Sequence, residues 1–167
     1  MKKLVIVING AGGVGKDTLC DFAKEEFKVT NISSITPIKE IATLCGWDGR
    51  KDDKSRKFLS DLKLLTVEYN DFPTVWATER YFEFLSSDAE IMFVHIREPK
   101  EIEKFVKATA SQAKTLLVRG GKRLSKTAYG NSSDDDVEKY NYDYYFLNEG
   151  TIEEARENFI DFLKNII

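Results

Sequence analysis

Along the chain, short apolar runs alternate with segments whose apolar residues recur at helical spacing. Leu4-Val5-Ile6-Val7-Ile8 is apolar without interruption and mostly β-branched, the pattern of a parallel strand covered on both faces. Val29–Ile32, Ile91–Ile96, Thr115–Val118 and Tyr144–Leu147 predict further strands. Between the first two, Leu19, Phe22, Ala23 and Phe27 fall on one face of a helix. Thr36-Pro37 opens a second helix, because the fixed φ of proline suits a first turn. Ile38, Ile41, Ala42 and Cys45 line one side of it, and Gly46 ends it.

After a polar loop, Trp47–Lys54, the segment Ser55–Tyr69 returns to helical spacing through Phe58, Leu62, Leu65 and Tyr69. Pro73 begins a looser helical pattern with Val75, Phe82 and Leu85, and Glu98-Pro99 starts another through Ile102, Phe105 and Val106. Thr151-Ile152-Glu153-Glu154 is a capping box that opens a closing helix marked by Ile152, Ala155, Phe159, Leu163 and Ile166. Gly120–Asp136 is polar and aperiodic and reads as a mobile loop. Strands alternating with helices predict an α/β fold, a parallel sheet of about five strands with helices on both faces, three layers in one domain over residues 1–167.

The first strand runs into Asn9–Thr18, Asn-Gly-Ala-Gly-Gly-Val-Gly-Lys-Asp-Thr. Gly10, Gly15 and Lys16 have the spacing of a phosphate-binding P-loop, G-x-x-x-x-G-K, in its required place between a strand and a helix. In such a loop the backbone N–H groups of Gly10, Ala11, Gly12, Gly13, Val14, Gly15, Lys16, Asp17 and Thr18 surround a nucleotide phosphate. The helix N-terminus adds partial positive charge, and Lys16 reaches the β- and γ-phosphates. Glycines let the backbone approach the anion closely. The Ser or Thr that coordinates magnesium normally follows the lysine directly; here Asp17 intervenes before Thr18, and both are candidate metal ligands.

Composition narrows the classes. A net charge of −3 argues against a partner that is a nucleic-acid polymer, which would call for a basic face. The apolar run at the N-terminus is too short to cross a membrane, so a cytoplasmic protein is expected. Cys20 and Cys45 form no C-x-x-C pair and are expected to be reduced and buried. No guanine-reading N-K-x-D or T-K-x-D motif is present, which argues against a signalling GTPase.

Ligands of open parallel sheets bind at the carboxyl ends of the strands. Arg97 and Arg119 each follow a predicted strand, and Arg123 lies in the expected mobile loop. Guanidinium groups meet phosphate oxygens with a planar fork, so these arginines are candidates for neutralising charge during phosphoryl transfer. His95 reads as a structural histidine, Asp134–Asp136 as a solvated run, and the tyrosines around Tyr142 as core packing.

The Gly-Lys-Asp-Thr end of the loop resembles the deoxynucleoside monophosphate kinases of bacteriophages and related bacterial proteins. The likeness continues through Ser34-Ile35-Thr36-Pro37-Ile38-Lys39-Glu40-Ile41-Ala42, Arg56-Lys57-Phe58-Leu59, Ile96-Arg97-Glu98-Pro99-Lys100-Glu101, and the run from Tyr142 to Thr151. It implies a nucleoside-monophosphate-kinase fold, with an acceptor-binding helical insertion at 34–73 and a lid at 120–136. It implies ATP and magnesium as donor complex and a (deoxy)nucleoside monophosphate as acceptor. Lys39, Arg56 and Arg97 would hold the acceptor, and Arg119 and Arg123 would close over ATP, in a monomer or homodimer.

Three departures stand beside the likeness. His95 replaces an aspartate, Ser60-Asp61-Leu62-Lys63 stands where the family has Gln-x-x-Gly-Thr-Glu, and Ser133 with Asp134–Asp136 replaces a His and a Glu. They leave open a kinase for a non-nucleotide metabolite, and a nucleotide-binding regulatory protein without kinase activity.

Overall fold

The computed structural model describes residues 2–121 and 136–167. Its centre is β1, Leu4–Asn9, in which all six residues are buried. Around it lie β2 (Val29–Ser33), β3 (Ile91–His95), β4 (Lys114–Gly120) and β5 (Tyr144–Asn148), in the order β2-β3-β1-β4-β5. Every pairing is parallel, with Ile8 opposite His95 on one side and Leu116 on the other.

Side chains of a strand alternate between faces, and β1 therefore feeds two cores. Val5 and Val7 pack with Ala77, Tyr81 and Phe84 of α4 (Phe72–Ser86) and with Ile102 and Phe105 of α5 (Pro99–Ala108). Leu4, Ile6 and Ile8 pack with Leu19, Cys20 and Ala23 of α1 (Lys16–Glu26) and with Phe159 and Leu163 of α6 (Ile152–Ile166). The α6 capping box is complete: Thr151 Oγ1 accepts from the Glu154 N–H at 3.2 Å, and the Glu154 carboxylate accepts from the Thr151 N–H at 2.7 Å.

The stretch between β2 and α4 holds α2 (Thr36–Leu44) and α3 (Asp53–Asn70). The helix at Ser55–Tyr69 is real, but of its apolar stripe only Leu62 turns inward. Phe58, Leu65 and Tyr69 are exposed, and no residue of α3 is buried. Leu59, Leu62, Lys63, Thr66 and Val67 form the half-covered face instead. Periodicity identifies a helix; which side is covered depends on α2 and α4, its two main neighbours.

Two further expectations change. Cys20 is buried, but Cys45 is exposed, because it lies past the last turn of α2. Arg119 does not follow a strand but belongs to β4, which runs on to Gly120 through its register with β5, Arg119 opposite Leu147. Most of the expected mobile loop, 122–135 with Arg123, Ser133, Asp134 and Asp135, lies outside the described residues. Among the described residues no helix is long and apolar enough to cross a membrane.

Candidate active site

The glycine loop joins the end of β1 to the start of α1. Gly13 and Gly15 take positive φ angles of 79° and 89°, where side chains are strained. Gly15 is also the N-cap of α1, and no side chain caps that helix. A Cβ at Gly15 would stand 2.6 Å from Nδ2 of Asn148, and one at Gly10 would stand 2.5 Å from the Val118 carbonyl oxygen. Asn148, buried at the end of β5, donates to the Val14 carbonyl at 2.9 Å and so ties the loop to a second strand. Lys16 turns back over the loop, its Nζ donating to the carbonyls of Gly10 at 2.6 Å and Ala11 at 3.2 Å.

Gly12, Gly13, Gly15, Lys16, Asp17 and Thr18 line one wall of a cleft of about 1060 Å³ at the carboxyl ends of β1, β2 and β3. Gly10, Ala11 and Val14 lie behind that wall; Val14 packs into the core. Facing the loop are Lys39 of α2, Arg56 of α3 and Arg97 beyond β3, so the expected donor and acceptor cations share one space. Lys63 and Trp76 join them. Lys63, 16% exposed, pairs with Glu98 at 2.5 Å. Trp76 is half-buried, and the Arg80 guanidinium lies 5.4 Å from its ring centre.

Five cationic side chains thus meet two carboxylates, Asp17 and Glu98, in the lining of a chain whose net charge is −3. The local field of such a cleft attracts anions although the whole molecule repels them.

His95 also lines the cleft, with Nε2 2.9 Å from Asn31 Oδ1 and 3.9 Å from Cys20 Sγ. The contact with Asn31 is satisfied when Nε2 carries the proton of a neutral ring. Burial holds the imidazole pKa below its usual value, against the opposing pull of Asp17. Burial likewise pushes the Cys20 thiol up to about 12, so it is no nucleophile.

Arg119 stands apart from the cleft lining. Its Nε and Nη2 donate to the two carboxylate oxygens of Glu138 at 3.1 and 2.9 Å, and its guanidinium lies 4.7 Å from the Tyr145 ring centre. Arg123 lies outside the described residues.

The donor set suits magnesium in one form only. Among the described residues no group of three His, Cys, Asp or Glu side chains could hold a metal. Magnesium characteristically takes one or two protein oxygens and fills its octahedron with phosphate oxygens and water. Asp17 and Thr18, adjacent on the loop wall, can supply that small share.

Reading the sequence missed Lys63, Trp76 and Asn148 as site residues. Lys63 and Ser60, both in the lining, belong to the stretch that departs from the resembled family, and that departure was the available signal.

No protein-family model and no curated protein matches the sequence. Solved structures do. A tunicamycin resistance protein from Deinococcus radiodurans superposes with a TM-score of 0.60 at 10% identity, covering 97% of this chain and 96% of that one. The shikimate kinase of Aquifex aeolicus gives 0.53 at 10% identity, with 97% of each chain covered. The APS kinase of Mycobacterium tuberculosis, in complex with AMPPNP and APS, gives 0.50 at 12% identity, with 98% of each covered. At such identities the likeness is one of fold, and the chain has the three-layer α/β fold of P-loop kinases, with its parallel sheet and glycine loop in register with a cationic cleft.

Proposed function

We propose that the protein transfers a phosphoryl group from ATP to a small phosphorylated acceptor, most simply a nucleoside or deoxynucleoside monophosphate. One observation carries the proposal: the phosphate loop and the cations Lys39, Arg56, Lys63 and Arg97 face each other across a single cleft. The loop and Lys16 bind the donor phosphates, and the opposite wall binds a second anion. The APS kinase neighbour, solved with AMPPNP and APS, supports a nucleotide donor paired with a small acceptor.

The chemistry asked of the protein is positioning and charge neutralisation. Negative charge spreads over the oxygens of the transferring group, and cations placed around it lower the barrier. Lys16 and Arg97, both in the lining of the cleft, would do this. A phosphate acceptor is already ionised and needs no general base. The acceptor wall agrees with that, since its carboxylate, Glu98, is paired with Lys63. Asp17 and Thr18 would hold magnesium, which contributes neutralisation of the donor phosphates. Trp76, half-buried in the same lining, is a candidate contact for the base of a nucleotide acceptor.

The test is ATP consumption by the purified protein against a panel of nucleoside and deoxynucleoside monophosphates, run beside phosphorylated metabolites that lack a base. Turnover with a nucleotide is the expected result. Turnover only with a base-free metabolite would replace the acceptor. AMPPNP binding without turnover on any acceptor would make the protein a nucleotide-binding regulator.

A further inference from the structure

Asn9 closes β1 and has no exposed surface. A polar side chain in such a place must find partners for each donor and acceptor or destabilise the fold. Asn9 finds them in the next residue and in two distant parts of the chain. Its Oδ1 accepts from the N–H of Gly10 at 2.9 Å. Its Nδ2 donates to the Arg97 carbonyl at 2.9 Å and to the Tyr142 hydroxyl at 2.9 Å, so both amide hydrogens are used. Tyr142 in turn donates its hydroxyl proton to the Val137 carbonyl at 2.7 Å. A phenol keeps its proton at neutral pH, and burial pushes that of Tyr142 further up, to about 12.

This network has a direct consequence for the cleft. The Gly10 N–H points at Asn9, and so the first peptide of the loop is set by a side chain rather than by a bound anion. The backbone of Arg97, whose side chain lines the acceptor wall, is set by the same amide. An apolar residue would fill the space without these constraints. A fully satisfied buried polar network, by contrast, specifies one geometry.

Resting on the phosphotransfer reading, we infer that Asn9 is a positioning residue that holds the phosphate loop and Arg97 as one unit, with Tyr142 as its support. It acts through Gly10 and Arg97; at the floor of the cleft its own side chain has no exposed surface. What it fixes is the separation between the donor phosphates and the acceptor anion, a distance on which transfer depends steeply.

Two variants test this. Tyr142→Phe keeps the ring and removes the hydroxyl. Asn9→Asp keeps the acceptor for Gly10 but turns an oxygen toward the Arg97 carbonyl. In the unliganded protein, NMR-detected amide exchange at Gly10 should quicken about tenfold in Tyr142→Phe, the effect of one lost buried hydrogen bond, and further in Asn9→Asp. With AMPPNP saturating the loop, inorganic phosphate followed by 31P NMR should bind about tenfold more weakly in both variants. AMPPNP affinity should fall much less, a split that general loosening of the fold would not produce.

Wild-type exchange at Gly10, or wild-type phosphate affinity, in both folded variants would overturn the inference. If Asn9→Asp does not fold, Tyr142→Phe decides by the same two measurements. Wild-type protein that fails to bind AMPPNP would instead overturn the phosphotransfer reading, and exchange at Gly10 would still decide the role of Asn9.

Discussion

Lys16 and Arg56 face the same cleft from walls that are built differently. Lys16 begins α1, whose Leu19, Cys20 and Ala23 are completely buried against a strand that is itself buried throughout. The loop before it is tied to β5 through Asn148 and to the segment after β3 through Asn9. Arg56 sits on α3, an 18-residue helix with no buried residue, which rests mainly on α2 and α4. The donor wall is therefore an extension of the core, and its geometry can change only if the core changes. The α3 part of the proposed acceptor wall is a helical surface with no buried residue, and its residues can be exchanged at small cost to stability, whereas Arg97 is held from the core by Asn9.

The comparison can be broken at either wall. The largest effect is expected for Lys16→Ala, which removes the cation of the loop: turnover should fall about 100-fold or more, with the melting temperature little changed. Unchanged turnover would remove the loop from the chemistry. Arg56→Ala should raise the acceptor KM by about 10- to 100-fold, the loss of a charge-assisted contact, while leaving the KM for ATP and the melting temperature in place. A change in both KM values would mean that the walls are not independent.

Two helix caps sharpen the same contrast. Thr151→Ala removes the capping box of α6 in the core layer and should lower global stability by about 1 kcal/mol, read by denaturant unfolding, without altering either KM. Asp52 caps α3, accepting from the Ser55 N–H at 2.8 Å. Asp52→Ala should fray that helix, raising the acceptor KM with a smaller shift in unfolding midpoint than Thr151→Ala causes. Equal losses of stability would show that α3 is more deeply coupled to the core than its exposure indicates.

The smallest effect is expected at His95. Its folded pKa is held below the usual 6.5, so as pH falls through that value the unfolded chain takes up a proton that the folded protein resists. Stability from this source is intact above about pH 6.5 and declines below it. His95→Gln should retain a donor toward Asn31 and flatten the fall in melting temperature between pH 7.5 and 5.5. An acid limb identical in both proteins would assign it to other groups.

Much of the fold was legible because its signals are local. A continuous apolar run, an alternation of periods, a proline at a first turn and a capping box each act within a few residues. The starts of α2, α5 and α6 and the core of every strand lie where those signals put them. The glycine loop was legible for the same reason, since its spacing is a property of ten consecutive residues. Less legible was the face that each helix buries. Phe58, Leu65 and Tyr69 make a regular stripe on α3, yet they face outward because the neighbours of that helix lie on its other side. Arg119 was placed near a strand end correctly, but its partner, Glu138, follows it by 19 residues and could not be read from spacing.

By itself the sequence determined that this is an α/β protein whose first strand delivers a glycine loop with P-loop spacing, because periodicity and glycine placement restrict backbone conformation residue by residue. Only the tertiary structure decided what faces that loop. Lys39 of α2, Arg56 and Lys63 of α3, Trp76 of α4 and Arg97 beyond β3 meet because the sheet order sets β3 between β1 and β2, so that the chain beyond β2 and the end of β3 reach the same cleft. The contacts of Asn9 span 88 and 133 residues, and those of Asn148 span 134. Partners that distant are chosen by how strands pair and layers pack, and no local pattern in the chain records them.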